Sequence, residues 1–251
     1  MSINNKKIIV CDLDGTLAES KSAISGEMVV VLCEILRQHF LAIVSGGTYS
    51  QLQKQFLSQF SCPNDLLEKL FLFPTNGSTC YKYNSESKQW EQLYNEVLNI
   101  KEREQIKKAL IEAITELNLT TSSNYGEIIE DRESQITFSG CGQNAPIEIK
   151  ILWDPDQEKR LRIVEILSRK IPDFEIHIGG MTSIDITRRG IDKAYAIKKI
   201  QDLTNIENQD IVFIGDALYK GGNDASIKKT EVDYIQVNSP NETIDCLREY
   251  L

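Results

Sequence analysis

The segment Asp12-Leu13-Asp14-Gly15-Thr16 places two carboxylates two residues apart, directly after the apolar run Ile8 to Cys11. A carboxylate can attack phosphorus and form an acyl phosphate, which divides one hard displacement into two easier ones. A second carboxyl group this near can give a proton to the leaving oxygen and later take one from water. Asp12 is therefore the candidate nucleophile and Asp14 the candidate general acid/base. Asp12 and the distant Asp216 offer hard oxygens that suit Mg²⁺, and such a cation would offset the repulsion between Asp12 and a phosphate dianion. Ser45, with the backbone N–H groups of Gly46 and Gly47, can hold non-bridging phosphate oxygens. Lys193, in Gly190-Ile191-Asp192-Lys193, supplies a cation at the start of a helix pattern, where it can reach both Asp12 and phosphate.

Taken singly, these motifs are ordinary: Asp-x-Asp-Gly can be a solvated turn, Ser-Gly-Gly a loop, Lys193 a surface lysine, and Asp216 and Asp224 part of a glycine-rich turn. What sets them apart is where they fall. Ile8 to Cys11, Phe40 to Val44 and Ile211 to Ile214 read as continuously apolar strands, and each ends at one of the polar clusters. In open α/β sheets ligands bind beyond the carboxyl ends of the strands, so strands about 4.8 Å apart can bring these clusters into one pocket. Helix patterns separate the strands, with Met28, Val31, Leu32, Ile35 and Leu36 in one, Tyr49 to Phe60 in another, and Ala194, Ile197, Ile200 and Leu203 in a third. Apolar strands alternating with helices predict a parallel sheet covered on both faces. Leu70 to Phe73 adds a strand that runs into the turn signal Pro74-Thr75-Asn76-Gly77, and Tyr234 to Val237 with a terminal helix closes the chain.

The middle of the sequence lacks this alternation. It has a hairpin pattern over 81–94, an amphipathic helix over 101–117, strand patterns at 134–138, 174–178 and 182–186, and a helix near 157–170, with 146–153 open between helix and strand. The fold expected is α/β: a Rossmann-like three-layer core with a parallel sheet, formed by 1–81 and 188–251, and an inserted α+β domain over 82–187.

The chain has 251 residues, enough for two modest cores. Its net charge of −9 repels nucleic acid and anionic membrane, so neither is expected as a partner. The same charge means that an anionic substrate needs a local cation, which again points to Mg²⁺. No apolar run approaches the ~18 residues of a membrane span, and the N-terminal apolar run is too short for a secretory leader, so a cytoplasmic protein is expected. Six scattered cysteines without Cys-x-x-Cys spacing read as reduced thiols, and two histidines are too few to suggest a zinc site.

The set Cys11-Asp-Leu-Asp-Gly-Thr16, Val44-Ser-Gly-Gly47, Gly190-Ile-Asp-Lys193 and Gly215-Asp-Ala-Leu-Tyr-Lys-Gly-Gly-Asn-Asp224 resembles the haloacid dehalogenase superfamily of phosphotransferases. The insert resembles its larger class of cap domain. Gly179-Gly-Met-Thr-Ser-Ile-Asp185, followed by Gly190-Ile-Asp-Lys193, is similar to the eukaryotic-type phosphomannomutases and their prokaryotic phosphatase relatives. The resemblance implies that Asp216 and the main-chain carbonyl of Asp14 hold Mg²⁺ with Asp224 in support, and that Ser45 and Lys193 hold the transferring phosphate. It also implies that Ser183, Asp185 and Arg132 meet the substrate from the cap. The mutase pattern has further cap arginines for a second phosphate. This sequence has Ser139-Gly-Cys-Gly-Gln143 at one such place and no arginine near Glu148 to Lys150. An amide or ammonium does not replace a bidentate guanidinium. The expectation is thus a phosphatase acting on a phosphorylated sugar or similar small metabolite, with a cap that closes to exclude water. Phosphomannomutase is the alternative, and a non-catalytic phosphate- or sugar-binding module or a receiver-type phospho-acceptor is more distant. The partner expected is the small phosphorylated metabolite, with room for a homodimer.

Overall fold

Strands that are apolar on both faces need a layer of helices on each side, and the order of apolar runs sets which helices supply them. The computed structural model describes residues 5–249 and residue 251. In chain order the first elements are β1 (Ile8–Asp12), α1 (Gly26–Gln38), β2 (Phe40–Val44), α2 (Tyr49–Leu52), α3 (Asn64–Leu67), β3 (Leu70–Phe73), β4 (Thr79–Asn84) and β5 (Gln89–Asn95). Then come α4 (Ile100–Glu116), β6 (Ile129–Asp131), β7 (Gln135–Ser139), α5 (Ile147–Trp153), α6 (Glu158–Lys170), β8 (Phe174–Gly179) and β9 (Ser183–Arg188). The chain finishes with α7 (Lys193–Thr204), β10 (Ile211–Gly215), β11 (Asp233–Gln236) and α8 (Pro240–Arg248). The segment over 146–153, open in the sequence, is the helix α5.

The chain divides into two compact units, Met1–Asn95 with Asp192–Leu251, and Glu96–Ile191. The first is built on a seven-stranded sheet in the order β11-β10-β1-β2-β3-β4-β5. The strands from β11 to β3 are mutually parallel, and β4 and β5 add an antiparallel hairpin. Alternate residues feed two cores. Ile9, Cys11, Leu41, Ile43, Leu70 and Leu72 pack with α1 and α8 residues such as Met28, Leu32 and Leu247. Ile8, Val10, Ala42, Val44, Phe71 and Phe73 pack with Ala196, Ile197 and Ile200 of α7. This is the expected three-layer α/β core. The insert was expected to begin at residue 82, but β4 pairs with β3, so the hairpin through Asn95 belongs to the core sheet. At the far end the first unit resumes at Asp192 rather than 188; β9 continues through Arg188, and Thr187 donates to the Ile191 carbonyl at 2.6 Å.

The second unit is a four-stranded antiparallel sheet, β6-β7-β9-β8. One face is apolar: Ile136, Phe138, Ile184 and Ile186 pack against Ile106 and Leu110 of α4 and Ile163 and Leu167 of α6. Because side chains alternate along a strand, the other face is polar, and its register sets Glu130, Thr137, Asp185 and His177 in one row across the four strands. A buried ion pair ties α6 to the end of this sheet. Arg160 Nε lies 2.7 Å from Asp154 Oδ2, and Nη1 donates to the carbonyls of Gly179 (3.0 Å) and Gly180 (2.6 Å). Removing one member of such a pair leaves an uncompensated buried charge. Asp154→Ala is expected to destabilise the protein by about 3–5 kcal/mol, measured as a lower urea midpoint; an unchanged midpoint would show that water replaces the carboxylate.

Candidate active site

β1 delivers Asp12 to its carboxyl end. The register sets Asp12 beside Val44 of β2 and Cys11 beside Ile214 of β10, so the strand ends carrying Asp12, Ser45 and Gly215-Asp216 are neighbours. Beyond Asp12 the chain turns back at once: Gly15 N–H donates to Ala18 O at 2.7 Å, and Leu17 N–H to Leu13 O at 2.9 Å. Gly15 has φ +86°, and a β-carbon there would lie 2.6 Å from Asp216 Oδ2. Only glycine both takes this conformation at low cost and lets the turn pass so close to that carboxylate.

Asp14, two residues on, is held away from the acidic cluster. Its Oδ1 accepts from Lys21 N–H at 2.6 Å and from Gln55 Nε2 at 3.0 Å. Gln55 also reaches Ser22 O at 3.3 Å, so it fixes both the carboxyl group and the loop around it. Gln55 carries no motif in the sequence. It sits in the π-helical turn Gln53–Leu57 after α2, where a regular helical period misplaces side chains. A buried glutamine beside the core residue Phe56 is the signal that could have found it.

Lys193 is the first residue of α7, whose N-cap Asp192 accepts from Tyr195 N–H. A cation at the positive end of a helix needs compensation. Lys193 has it, with Nζ 2.6 Å from Asp12 Oδ1 and 2.5 Å from Asp224 Oδ1, all fully or nearly fully buried. Asp224 Oδ2 accepts in turn from Ala217 N–H at 3.0 Å. Gly215 leaves room for this carboxylate, since a β-carbon there would lie 2.5 Å from Asp224 Oδ2. Asp216 is fixed through Thr16 Oγ1 at 3.4 Å.

The charge balance of this cluster is uneven. Asp12, Asp216 and Asp224 each bring an oxygen within 4.8 Å of the others, against the single ammonium of Lys193. Burial, with the repulsion of Asp224 and Asp216, pushes the Asp12 carboxyl well above the usual carboxylate range despite the pull of Lys193. Burial and Asp224 likewise raise Asp216. Burial works against the Lys193 ammonium too, but Asp12 and Asp224 outweigh it and its pKa rises. Asp12 Oδ2 is buried and meets no side-chain ammonium or backbone N–H donor among the described residues. An unsatisfied carboxylate oxygen among three hard oxygen donors fits a divalent cation such as Mg²⁺. The side chain of Asp14 is not in this group, so of the four expected metal residues Asp14 could contribute only its main chain.

Ser45 follows β2, and its N–H continues the ladder to Phe73 O at 2.9 Å. Its Oγ accepts from Gly47 N–H at 3.0 Å, which leaves Gly46 at the apex of the loop. Thr48 and Gln51 then form a capping box that starts α2.

The three residues expected to read the substrate, Arg132, Ser183 and Asp185, belong to the second unit. Ser183 and Asp185 lie on the polar face of its sheet, opposite Ser139 and Thr137. Asp185 Oδ1 accepts from Thr137 Oγ1 at 2.8 Å, and Thr137 is itself held by Gln135 at 2.9 Å. Arg132 is engaged by Glu130 at 2.6 Å and reaches Gln143 Oε1 at 3.3 Å. Lys150 Nζ donates to Gln143 O at 3.0 Å. Arg188, at the end of β9, binds Glu102 at 3.0 Å and donates to Val97 O at 2.9 Å.

Comparison with solved structures places this architecture. IMP-bound, N-terminally truncated IMP-nucleotidase from Plasmodium falciparum superposes with a TM-score of 0.75 at 16% identity, covering 99% of this chain and 69% of that one. A haloacid dehalogenase-like hydrolase from Bacteroides thetaiotaomicron gives 0.62 at 20% identity, covering 98% and 100%. The fold is the haloacid dehalogenase fold of these neighbours. Within it, the family model for eukaryotic phosphomannomutase matches residues 28–251, and the chain belongs to that family. The phosphomannomutase of Saccharomyces cerevisiae is 29% identical over 248 residues, 96% of this chain and 93% of the relative. That of Schizosaccharomyces pombe is 28% identical, over 88% and 85%.

The carboxylate cluster makes metal binding measurable without turnover. Mg²⁺ at about 100 times its Kd should stabilise the protein by about 2.7 kcal/mol, read as a rise in Tm. A carboxyl whose pKa is raised on folding destabilises the fold as pH climbs from its unfolded value through the folded one. The Mg²⁺-induced rise should therefore be larger near pH 7 than near pH 5, where protons compete for the same oxygens. Asp216→Ala should remove most of the rise without lowering the Tm of the metal-free protein.

Proposed function

We propose that this protein moves a phosphoryl group from a phosphorylated sugar through a covalent intermediate on Asp12, with phosphomannomutase-type transfer as its overall reaction. The observation that carries the proposal is the buried Lys193–Asp12 contact with Asp12 Oδ2 left unsatisfied beside Asp216. The phosphomannomutase activity for which the family is named supports the sugar substrate and the mutase outcome.

In the first half-reaction an Asp12 carboxylate oxygen attacks phosphorus, the bond from phosphorus to the sugar oxygen breaks, and Asp14 gives its proton to the departing oxygen. In the second, Asp14 takes a proton from the acceptor hydroxyl, whose oxygen attacks phosphorus and frees Asp12. Lys193 and Ser45 hold the non-bridging oxygens as charge builds on them, and Gln55 keeps the Asp14 carboxyl in place between the two steps. Asp12, Asp216 and the main chain of Asp14, with Asp224 in support, would hold a Mg²⁺, which would supply charge neutralisation and polarise the phosphoryl group. Ser183, Asp185 and Arg132 are assigned to recognition of the sugar.

A second reading, hydrolysis, has its own support. By the resemblance, the mutase pattern has further arginines where this chain has Ser139 to Gln143 and Glu148 to Lys150, and Arg132 is already paired with Glu130. Without a bidentate grip on a second phosphate, the bisphosphate that a mutase must retain between its half-reactions is held less firmly, and water becomes the acceptor.

One assay separates the two. With mannose 1-phosphate, Mg²⁺ and a hexose bisphosphate, mannose 6-phosphate should form in excess over free phosphate; free phosphate as the main product, indifferent to the bisphosphate, would replace transfer by hydrolysis. Asp12→Asn should lower turnover by about a thousandfold or more with the circular dichroism spectrum unchanged. Survival of turnover would mean that another group is the nucleophile.

A further inference from the structure

We infer that the turn between β3 and β4, Pro74 to Ser78, is a strained clamp that positions the Ser45 loop against the helix carrying Lys193. Three consecutive residues here have left-handed backbone: Thr75 (φ +50°), Asn76 (φ +56°) and Gly77 (φ +85°). Glycine adopts this at no cost and asparagine with little, but a β-branched threonine does so only under constraint. Strain of this kind persists where surrounding contacts over-determine it, and it concentrates at functional sites.

The constraint is visible on one side of the turn. Ser78 Oγ lies 2.8 Å from Thr75 O and 2.7 Å from Thr75 Oγ1, and Thr75 Oγ1 lies 3.1 Å from Thr79 Oγ1. Thr75, Asn76, Ser78 and Thr79 are all buried. The consequence is visible on the other side. Thr75 N–H donates to Gly47 O at 2.8 Å, and Asn76 N–H to Ser45 O at 2.9 Å. In an extended strand adjacent N–H groups point to opposite edges; the left-handed turn aims both at the same loop. Two residues later, Gly77 packs so closely on α7 that a β-carbon would lie 2.9 Å from Ala196 Cβ and 3.2 Å from its backbone. Ala196 is one helical turn beyond Lys193, and Tyr94 Oη fixes Gly77 from the side by donating to its carbonyl at 2.8 Å. The turn thus grips the Ser45 loop through two amides and the Lys193 helix through one glycine. It sets the spacing between two groups that never share a secondary element.

Thr75 is a positioning residue on this account, and the inference rests on the phosphate-holding role proposed for Ser45 and Lys193. Two substitutions test it. Thr75→Gly and Thr75→Val both delete the hydroxyl, but glycine accepts φ +50° and valine resists it. Thr75→Gly should keep the KM for mannose 1-phosphate, and the inhibition constant for inorganic phosphate, within about twofold of wild type, while Thr75→Val should weaken both by about tenfold. The Asn76 amide should exchange with solvent faster in Thr75→Val than in Thr75→Gly. Equal behaviour of the two variants would assign the effect to the lost hydroxyl and overturn the clamp. So would a lower Tm in Thr75→Val with phosphate inhibition and Asn76 exchange unchanged. Wild-type protein that neither turns over mannose 1-phosphate nor binds phosphate would overturn the functional reading alone, and the exchange comparison would still decide the clamp.

Discussion

Lys193 meets Asp12 and Asp224 where water is almost absent, and much of the first unit follows from making that contact possible. A buried ammonium between two carboxylates survives only with close geometry on both sides, because desolvation of each ion is costly. Distances of 2.6 and 2.5 Å supply that geometry, and each partner comes from a different part of the chain. β1 must end at Asp12, α7 must begin at Lys193, and the turn after β10 must curl back until Asp224 meets the Ala217 amide. Glycines at 15 and 215 open the backbone at the two points where these segments approach each other's carboxylates. Yet one ammonium does not balance three carboxylates, and Asp12 keeps an oxygen with no donor among the described residues. The same excess of negative charge that strains the resting cluster is what suits it chemically to a divalent cation.

The sheet order makes such a meeting possible. β1 is followed in sequence by β2 and β3 on one side and flanked by β10 and β11 on the other. The reversal of direction at β1 leaves the ends of neighbouring strands open rather than bridged by a single loop, and this is where open α/β sheets bind ligands. Asp12 at that position has a polar loop to each side: Ser45-Gly46-Gly47 after β2, and Gly215-Asp216 after β10. The second unit solves a different problem. Its sheet faces α4 and α6 with one set of alternating residues and is left with a polar set, of which Thr137 and Asp185 are already hydrogen-bonded to each other.

Where signals were local, the sequence was enough. β2 and β3 match their apolar runs residue for residue, α1 follows the spacing of Met28, Leu32 and Leu36, and the convergence of Asp12, Lys193, Asp216 and Asp224 follows from their places at strand ends and a helix start. Signals that depend on distant partners were lost. The β4–β5 hairpin reads as a hairpin, but nothing in its residues says that β4 will pair with β3 and extend the core sheet. Gln55 escaped because the π-helical turn moves it off the helical period. The engagement of Arg132 by Glu130 was hidden for another reason: a cation two residues from an acid reads alike whether the pair is closed or the cation is held for a ligand.

The placement of β1 also affects how this chain is made. β1 sits between β2 and β10, and β10 begins at Ile211. At ribosomal rates of 5–20 residues per second, the gap between Asp12 and that strand amounts to roughly 10–40 s of synthesis. Throughout that interval β1 has one hydrogen-bonding edge with no native partner, flanked by some of the most apolar segments of the protein. The second unit, by contrast, is continuous in sequence from Glu96 to Ile191 and holds all four of its strands before β10 is translated. The nascent chain therefore presents an early-complete module followed by a late-closing one, and its exposure to misassembly falls on the strand that bears Asp12.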